Sequence, residues 1–254
     1  MNKKEHTIWN EKYRSTSLDN YLCTGYIKNK IEEYITNQDI PHIGLFGNPG
    51  SGKTTLAKLL VNNIDCDFIY LNAMDNRSMD DIKDKIGGFA STKSFKGMKI
   101  VILDESTNIL QNSQILLLNM IETYSLNTRF ILTGNYPERL IPALRSRLQE
   151  LNLEPPSIKQ VASHVLKILD GENITYEKND VGYIVTQMYP DMRRIINSLQ
   201  KYTIDNILHI DTNKISQEDK YILDIIEELK KPSFKSFNVI RQIVLDSNRN
   251  DLDD

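Results

Sequence analysis

The stretch Gly47-Asn48-Pro49-Gly50-Ser51-Gly52-Lys53-Thr54 constrains this chain more than any other, because it fills the pattern G-x-x-x-x-G-K-[ST]. The pattern describes a loop whose backbone must wrap an anion. Its glycines let N–H groups close on phosphate oxygens without Cβ clashes. Lys53 offers a flexible point charge to the outer phosphates, and the Thr54 hydroxyl can ligate Mg²⁺. A loop of this kind needs a strand before it and a helix behind it, so that the helix N-terminus faces the anion. Both are legible. Ile43-Gly44-Leu45-Phe46 reads as a short buried strand and Lys53 to Val61 as an amphipathic helix. Gly47, Asn48, Pro49, Gly50, Ser51, Gly52, Lys53, Thr54 and Thr55 are therefore the candidate residues for a nucleoside triphosphate.

The remaining strands follow from apolar runs. Asp67 to Leu71 reads as one, and Lys99-Ile100-Val101-Ile102-Leu103-Asp104-Glu105 as another. Four consecutive apolar residues in the second describe a strand buried on both faces, hence a parallel sheet in an α/β domain. The two carboxylates at its carboxyl end sit where such sheets place ligands. Asp104 is the candidate to hold Mg²⁺ opposite Thr54, and Glu105 to orient or activate an attacking water. Thr128 to Thr133 is a further strand, ending at Gly134-Asn135, where Asn135 is placed to hold that water or the γ-phosphate; Gly-Asn is also ordinary turn chemistry. Leu148 to Leu151 completes the set. Helices are expected over Tyr26 to Thr36, over the segment spaced by Ile82, Ile86 and Phe89, and over Gln111 to Tyr124.

Glu154-Pro155-Pro156 marks a boundary. Beyond it, Ser157-Ile158-Lys159-Gln160 forms a capping box, and Ile158, Val161, Ala162, Val165 and Leu169 share one helical face. Val181, Ile184, Val185 and Met188 repeat the spacing, as do Met192, Ile195, Ile196 and Leu199 behind Asp191 as N-cap. Arg193 and Arg194 open that third helix, which hints at an anionic partner or places two solvated cations on the surface. Further helices are expected at Ser216 to Leu229 and Pro232 to Val244. The expected organisation is a P-loop α/β domain over 1–153, a helical lid domain over 154–213 and a partial helical segment with an acidic tail over 214–254.

Composition serves mainly to exclude. No run approaches 18 apolar residues, so no membrane span is expected, and Met1-Asn2-Lys3-Lys4-Glu5-His6 has no signal-peptide core. Two cysteines and four scattered histidines suggest neither a disulfide framework nor a zinc site, which suits a cytoplasmic location. The formal net charge of −3 argues against indiscriminate nucleic-acid binding. Between Asn76 and Lys99, however, six basic residues (Arg77, Lys83, Lys85, Lys93, Lys96, Lys99) stand against three acidic ones. Ahead of the first strand lies the aromatic-basic cluster Trp9-Asn10-Glu11-Lys12-Tyr13-Arg14, placed either to cover the base of a nucleotide or to pack on its own domain.

Taken in order, these features resemble the AAA+ ATPases of the sliding-clamp loader family, which includes the replication factor C small subunits and the bacteriophage clamp-loader large subunit. The resemblance rests on Glu11-Lys12-Tyr13-Arg14, Gly47 to Thr54, Phe89-Ala90-Ser91-Thr92-Lys93-Ser94-Phe95 and Asp104-Glu105. Asn135, the Leu-x-Ser-Arg element ending in Arg147, and Pro190-Asp191-Met192-Arg193 complete it. It implies ATP and Mg²⁺ as cofactors, with Tyr13 and Arg14 at the nucleotide. It also implies Asn135 as sensor 1, Arg147 as an arginine finger acting on a neighbouring subunit's nucleotide, and Arg193 as the sensor 2 arginine. Arg77, Lys83 and Lys85 fall in the segment that follows duplex DNA in the family. The implied partners are other clamp-loader subunits in a pentameric ring, a sliding clamp and primer–template DNA. The implied location is cytoplasmic, at a nucleoid or viral replication site, or nuclear in a eukaryote. The chain departs from the family pattern at Ser15, where proline is usual, and at Leu148, where cysteine is usual. Lys214 to Asp254 leave room for only part of the helical collar through which family members assemble. Two other functions compete with clamp loading: a different DNA-remodelling AAA+ motor, and a nucleotide-binding scaffold that does not hydrolyse.

Overall fold

A computed structural model of the chain describes residues 8–74, 79–209 and 239. The chain divides into two compact units, Met1–Ile207 and Leu208–Asp254. The expected helix at Ser216 to Leu229, the one at Pro232 to Val244 apart from residue 239, the acidic tail and Arg77 lie outside the described residues.

In the first unit, elements run in the order α1 (Trp9–Lys12), α2 (Gly25–Asn37), β1 (Ile43–Phe46), α3 (Lys53–Asn63), β2 (Cys66–Asn72), α4 (Met79–Ser91) and β3 (Met98–Asp104). They continue with α5 (Gln111–Tyr124), β4 (Thr128–Gly134), α6 (Pro142–Arg145), β5 (Gln149–Asn152), α7 (Ile158–Gly171), α8 (Lys178–Met188) and α9 (Met192–Tyr202). The five strands form one parallel sheet in the order β2-β3-β4-β1-β5. Successive side chains of a strand point to opposite faces, and an all-parallel sheet is covered on both. The packing follows that rule. Ile43, Leu45, Ile100, Ile102 and Ile131 join Ile27, Ile31, Leu56 and Leu60 of α2 and α3 in one core. Phe46, Val101, Leu103, Phe130 and Leu132 join Ile82, Ile86, Leu117 and Ile121 of α4 and α5 in the other.

Two sequence expectations change, and one strand proves more open than its neighbours. Lys99 is counted above among the basic residues of a charged surface segment, yet it is 1% exposed. Its ammonium donates to Phe89 O (2.6 Å), to Thr92 Oγ1 (2.8 Å) and to Thr92 O, so it closes the carbonyls that end α4. Helix ends leave such carbonyls without intrahelical donors, and a cation there also meets the negative end of the dipole. Ile158, expected on the apolar face of α7, is 42% exposed; the buried face runs instead through Val161, Val165, Ile168 and Leu169. Finally, β2 is an edge strand, so Phe68 and Tyr70 stay largely open on the face that carries α3.

The helical part follows its capping chemistry. Ser157 and Gln160 form both halves of the capping box, and Asp191 caps α9 by accepting from Arg194 N at 3.1 Å. Each such cap is worth about 0.5–2 kcal/mol. The N-terminal segment packs on this part of the molecule. Trp9 N–H donates to Gln200 Oε1 at 3.0 Å, Asn10 Nδ2 donates to Arg193 O at 3.3 Å, and Lys12 pairs with Glu172 at 2.9 Å. The segment therefore ties the start of the chain to α9 and to the end of α7.

Replacing Lys99 by Met keeps the stem and removes the donors, which strands the α4 carbonyls. Hydrogen bonds to charged groups are worth about 1.5–3 kcal/mol, so Lys99→Met should lower stability by about that amount in urea melts. A change below about 0.5 kcal/mol would mean that solvent already satisfies those carbonyls.

Candidate active site

The loop after β1 turns through Gly50 (φ 74°) and Gly52 (φ 87°), both in the left-handed region where a Cβ is strained. Gly52 also lies under Tyr21, whose hydroxyl donates to Ser51 O at 3.4 Å. The loop leads directly into the N-terminus of α3, with Lys53 as the first helical residue. The Lys53 ammonium is buried and donates to Gly47 O (3.0 Å) and Asn48 O (2.9 Å), the carbonyls of its own loop. Burial pulls its pKa below the usual lysine range. The Glu105 and Asp104 carboxylates oppose that fall, Arg193 adds to it, and Asp191 opposes it weakly. A cation in that state is better stabilised by an arriving polyanion than by the two carbonyls it now holds.

Asp104 ends β3 and is the most heavily bonded carboxylate of the site. Thr54 Oγ1 donates to its two oxygens at 2.9 and 3.0 Å, Tyr70 OH donates to Oδ2 at 2.5 Å, and the Thr133 hydroxyl donates to Oδ1. Thr133 also accepts from Glu105 N–H at 3.2 Å, while Ser106 Oγ donates to Thr133 O at 2.9 Å. Glu105 itself sits at φ 55°, a region that non-glycine residues enter at a cost of order 1–3 kcal/mol. These bonds to β4 hold that backbone in place. Asn108 Nδ2 approaches Glu105 Oε2 at 3.4 Å. On the next strand, Asn135 Oδ1 is buried with no hydrogen-bond partner among the described residues. Native proteins rarely leave such an atom orphaned, so the site is shaped for a polar ligand there.

These groups line one cavity of about 370 Å³, within the range of small-molecule sites. Its walls bring together Pro49, Gly50, Ser51, Gly52, Lys53, Thr54 and Thr55 with Asp104, Glu105 and Asn135, all expected from the sequence. Arg193 reaches it from α9, and Tyr13 and Arg14 from the N-terminal segment. Gly47 and Asn48 contribute through the carbonyls that hold Lys53. Thr54 and Asp104 present hard oxygen donors side by side, which fits Mg²⁺. Among the described residues no group of three or more His, Cys, Asp or Glu could hold a metal.

Other expected residues stand apart from the cavity. Arg147 lies on the surface, its Nε and Nη2 both donating to Glu122 Oε1 at 3.2 and 2.9 Å. Lys83 and Lys85 are exposed on α4. Tyr70, Thr133, Tyr21 and His164 escaped sequence reasoning, because only strand register and helix docking bring them to the site. Thr133 could have been found from alternation along its strand, since it precedes Asn135 by one full pleat. Burial holds the His164 imidazole below its usual pKa, with Lys167 adding to the effect, so it meets the cavity as a neutral side chain.

The comparisons with known proteins agree with this geometry. A model of the ATPase family associated with various cellular activities (AAA) matches residues 43–155. The replication factor C small subunit of Sulfolobus acidocaldarius is 31% identical over 220 residues, covering 82% of this chain and 68% of that protein. That of Aeropyrum pernix is 32% identical over 216 residues (80% and 66%), and replication factor C subunit 3 of Saccharomyces cerevisiae is 32% identical over 212 residues (80% and 62%). The chain thus spans slightly less than two thirds of the length of the Aeropyrum and Saccharomyces proteins. Among solved structures, a Thermotoga maritima RuvB, described as a Holliday junction branch migration motor, superposes with a TM-score of 0.63. It covers 84% of this chain and 74% of its own at 21% identity, a likeness of fold.

A methyl group on Gly50 would overlap the Asp191 carboxylate, so the phosphate-binding loop and the N-cap of α9 touch. Gly50→Ala should push the two apart, and Asp191→Ala should cost about 0.5–2 kcal/mol as a lost cap. Because the second change also removes the clash, the double variant should lose less stability than the two single losses together. A coupling of about 0.5–3 kcal/mol in denaturant melts is expected, and additive losses would place the two residues out of contact.

Proposed function

The chain belongs to the replication factor C small-subunit family of AAA ATPases, and from that premise we propose that it is an ATP-hydrolysing subunit of a sliding-clamp loader. The observation that carries this reading is the cluster at the ends of β1, β3 and β4. There Lys53, Thr54, Asp104, Glu105 and Asn135 face one cavity, roofed by Arg193 from the helical part. In this reading the loop amides and Lys53 bind the triphosphate, and Tyr13 and Arg14 sit at the base. Thr54 and Asp104 would hold Mg²⁺, which when bound neutralises charge on the β- and γ-phosphate oxygens. Glu105 orients the attacking water and accepts its proton. Asn135 donates its amide toward the γ-phosphate or the water, and Arg193 draws the helical part onto the phosphates.

Arg147 has a different role in this scheme. It stands outside its own cavity, which supports action on the nucleotide of a neighbouring subunit. The partners proposed are therefore sister subunits in a ring, a sliding clamp and primer–template DNA, at a site of replication. Among the described residues no helix is long and apolar enough to cross a membrane. The branch-migration reading has only the fold in common with this chain, whereas identity of 31–32% over most of its length favours the loader.

The test is turnover in the complex purified from the native source. Glu105→Gln should bind ATP·Mg²⁺ as the wild type does and hydrolyse it about 10²–10⁴-fold more slowly, the usual loss of a positioned base. Lys53→Ala should lose binding itself. Arg147→Ala should leave ATP bound at its own subunit and slow hydrolysis by up to about 10³–10⁵-fold at the neighbouring one. Stimulation by clamp plus primed DNA supports the loader; stimulation by four-way junctions instead would select the branch-migration reading. High turnover by the isolated chain, independent of its concentration, would remove Arg147 from the role of a trans-acting finger.

DNA contact is proposed for Lys83 and Lys85 together with Arg77. Phosphate contacts of this kind release counterions and carry little sequence preference. Neutralising Lys83 or Lys85 should weaken binding similarly on all duplexes and lower the salt slope by about one unit each. An unchanged slope in the double variant would assign both to a solvated helix face.

A further inference from the structure

Tyr70 belongs to no part of the scheme above, yet it makes one of the shortest hydrogen bonds at the site. It lies two residues before the end of β2, and β2 flanks β3 on the side opposite β4. In the register of the sheet Asn72 stands beside Asp104, so Tyr70 projects from the same face one pleat earlier. Its hydroxyl reaches forward and donates to Asp104 Oδ2 at 2.5 Å. From the other side, Thr133 on β4 donates to Oδ1. Each oxygen of the carboxylate is thus gripped by a hydroxyl from a different neighbouring strand.

Resting on the ATP·Mg²⁺ reading of this site, we propose that Tyr70 is a positioning residue that fixes the plane of the Asp104 carboxylate for its cation. Thr54 divides its single O–H between both carboxylate oxygens, so that bond favours neither, and its lone pairs stay open to a cation. The flanking pair sets the plane. The terminal torsion of an aspartate is broad and roughly two-fold, so a single clamp on Oδ1 leaves the plane free to swing. A second clamp on Oδ2 stops it. Partners of this kind around a metal ligand typically tune affinity by about 10–100-fold.

The ring of Tyr70 is itself held for the purpose. Lys58 Nζ stands 4.7 Å from its centroid, and Lys58 lies one turn beyond Thr54 on α3. The ring therefore spans from the strand edge to the helix that carries the other metal-holding residue. Packing alone does not account for it, because the side chain is 38% exposed on an edge strand and its hydroxyl is turned inward to a carboxylate. Phenylalanine would cover the same surface without that bond.

The experiment uses the full chain and Mn²⁺ as the probe, with Mn²⁺ affinity in the presence of ATP read by electron paramagnetic resonance. ATP affinity without divalent cation is read separately with a fluorescent analogue. Tyr70→Phe should weaken Mn²⁺ by about 10–100-fold and leave metal-free ATP affinity within about twofold. Lys58→Met, which keeps the hydroxyl and loosens the ring, should show a smaller loss of about two- to fivefold, the worth of one cation over a ring. That second variant also decides the matter if Tyr70→Phe fails to fold. Unchanged Mn²⁺ affinity in these variants overturns the proposal, and so does an equal loss of Mn²⁺ and metal-free ATP affinity. If the wild-type chain binds no ATP, the underlying ATP·Mg²⁺ reading fails first and this one falls with it.

Discussion

The hydrogen bonds between Thr54 and Asp104 hold the site in its form. Thr54 is the second residue of α3 and Asp104 the last of β3, so a bond of 2.9–3.0 Å between them ties the helix behind the phosphate loop to the strand next but one in the sheet. Two elements far apart in sequence are thereby fixed side by side. The core on either side of β3 makes that spacing rigid. Ile100 and Ile102 lock one face against α2 and α3, and Val101 and Leu103 lock the other against α4 and α5. Close packing of this kind leaves the carboxyl end of β3 little freedom to drift.

How much of this the sequence discloses depends on the range of the physics involved. The phosphate loop, the buried strand through Leu103 and helix α5 over Gln111–Tyr124 are visible because glycine spacing and apolar periodicity are local signals. Asp104 and Glu105 are visible because they follow such a strand at the end where ligands gather. Tyr70 is invisible for the opposite reason, and of Thr133 alternation along the strand shows only that it shares a face with Asn135. Their bonds to Asp104 arise only when β2 and β4 take their places on either side of β3, an order no local pattern encodes. Lys99 misleads for the same reason: in sequence it extends a run of cations, but β3 carries it under α4. Charge counted along a chain describes a surface only where every residue counted reaches it.

The helical part and the N-terminal segment meet beside the site. Asp191 caps α9 and touches the loop at Gly50, so the residue that starts the helix also sets its height above that loop. Asn10 holds the backbone carbonyl of Arg193 from the other side. The backbone of Arg193 is thus positioned from two directions. The arm that brings Tyr13 and Arg14 to the cavity wall is the same arm that pins α9. Of the two placements considered for the arm, the bonds of Trp9, Asn10 and Lys12 are those of packing against the protein.

Two arginines separated by a single serine show how the surface assigns roles by bond geometry. Arg145 meets Glu150 through two parallel bonds, Nε to Oε1 at 2.7 Å and Nη2 to Oε2 at 2.8 Å, which raise its pKa and lower that of Glu150. That pair is bidentate and fastens α6 to β5, so Arg145 is committed to the fold. Arg147 meets only one oxygen of Glu122, with about half of each side chain open to water. An exposed pair of that kind is worth about 0–1 kcal/mol, and salt weakens it further. Arg147 is therefore held in a defined direction yet released at small cost, as the proposed finger requires. A buried bidentate partner would have made the same guanidinium too expensive to move. The difference between a structural arginine and an available one lies in what each guanidinium meets, two residues apart on the same short turn.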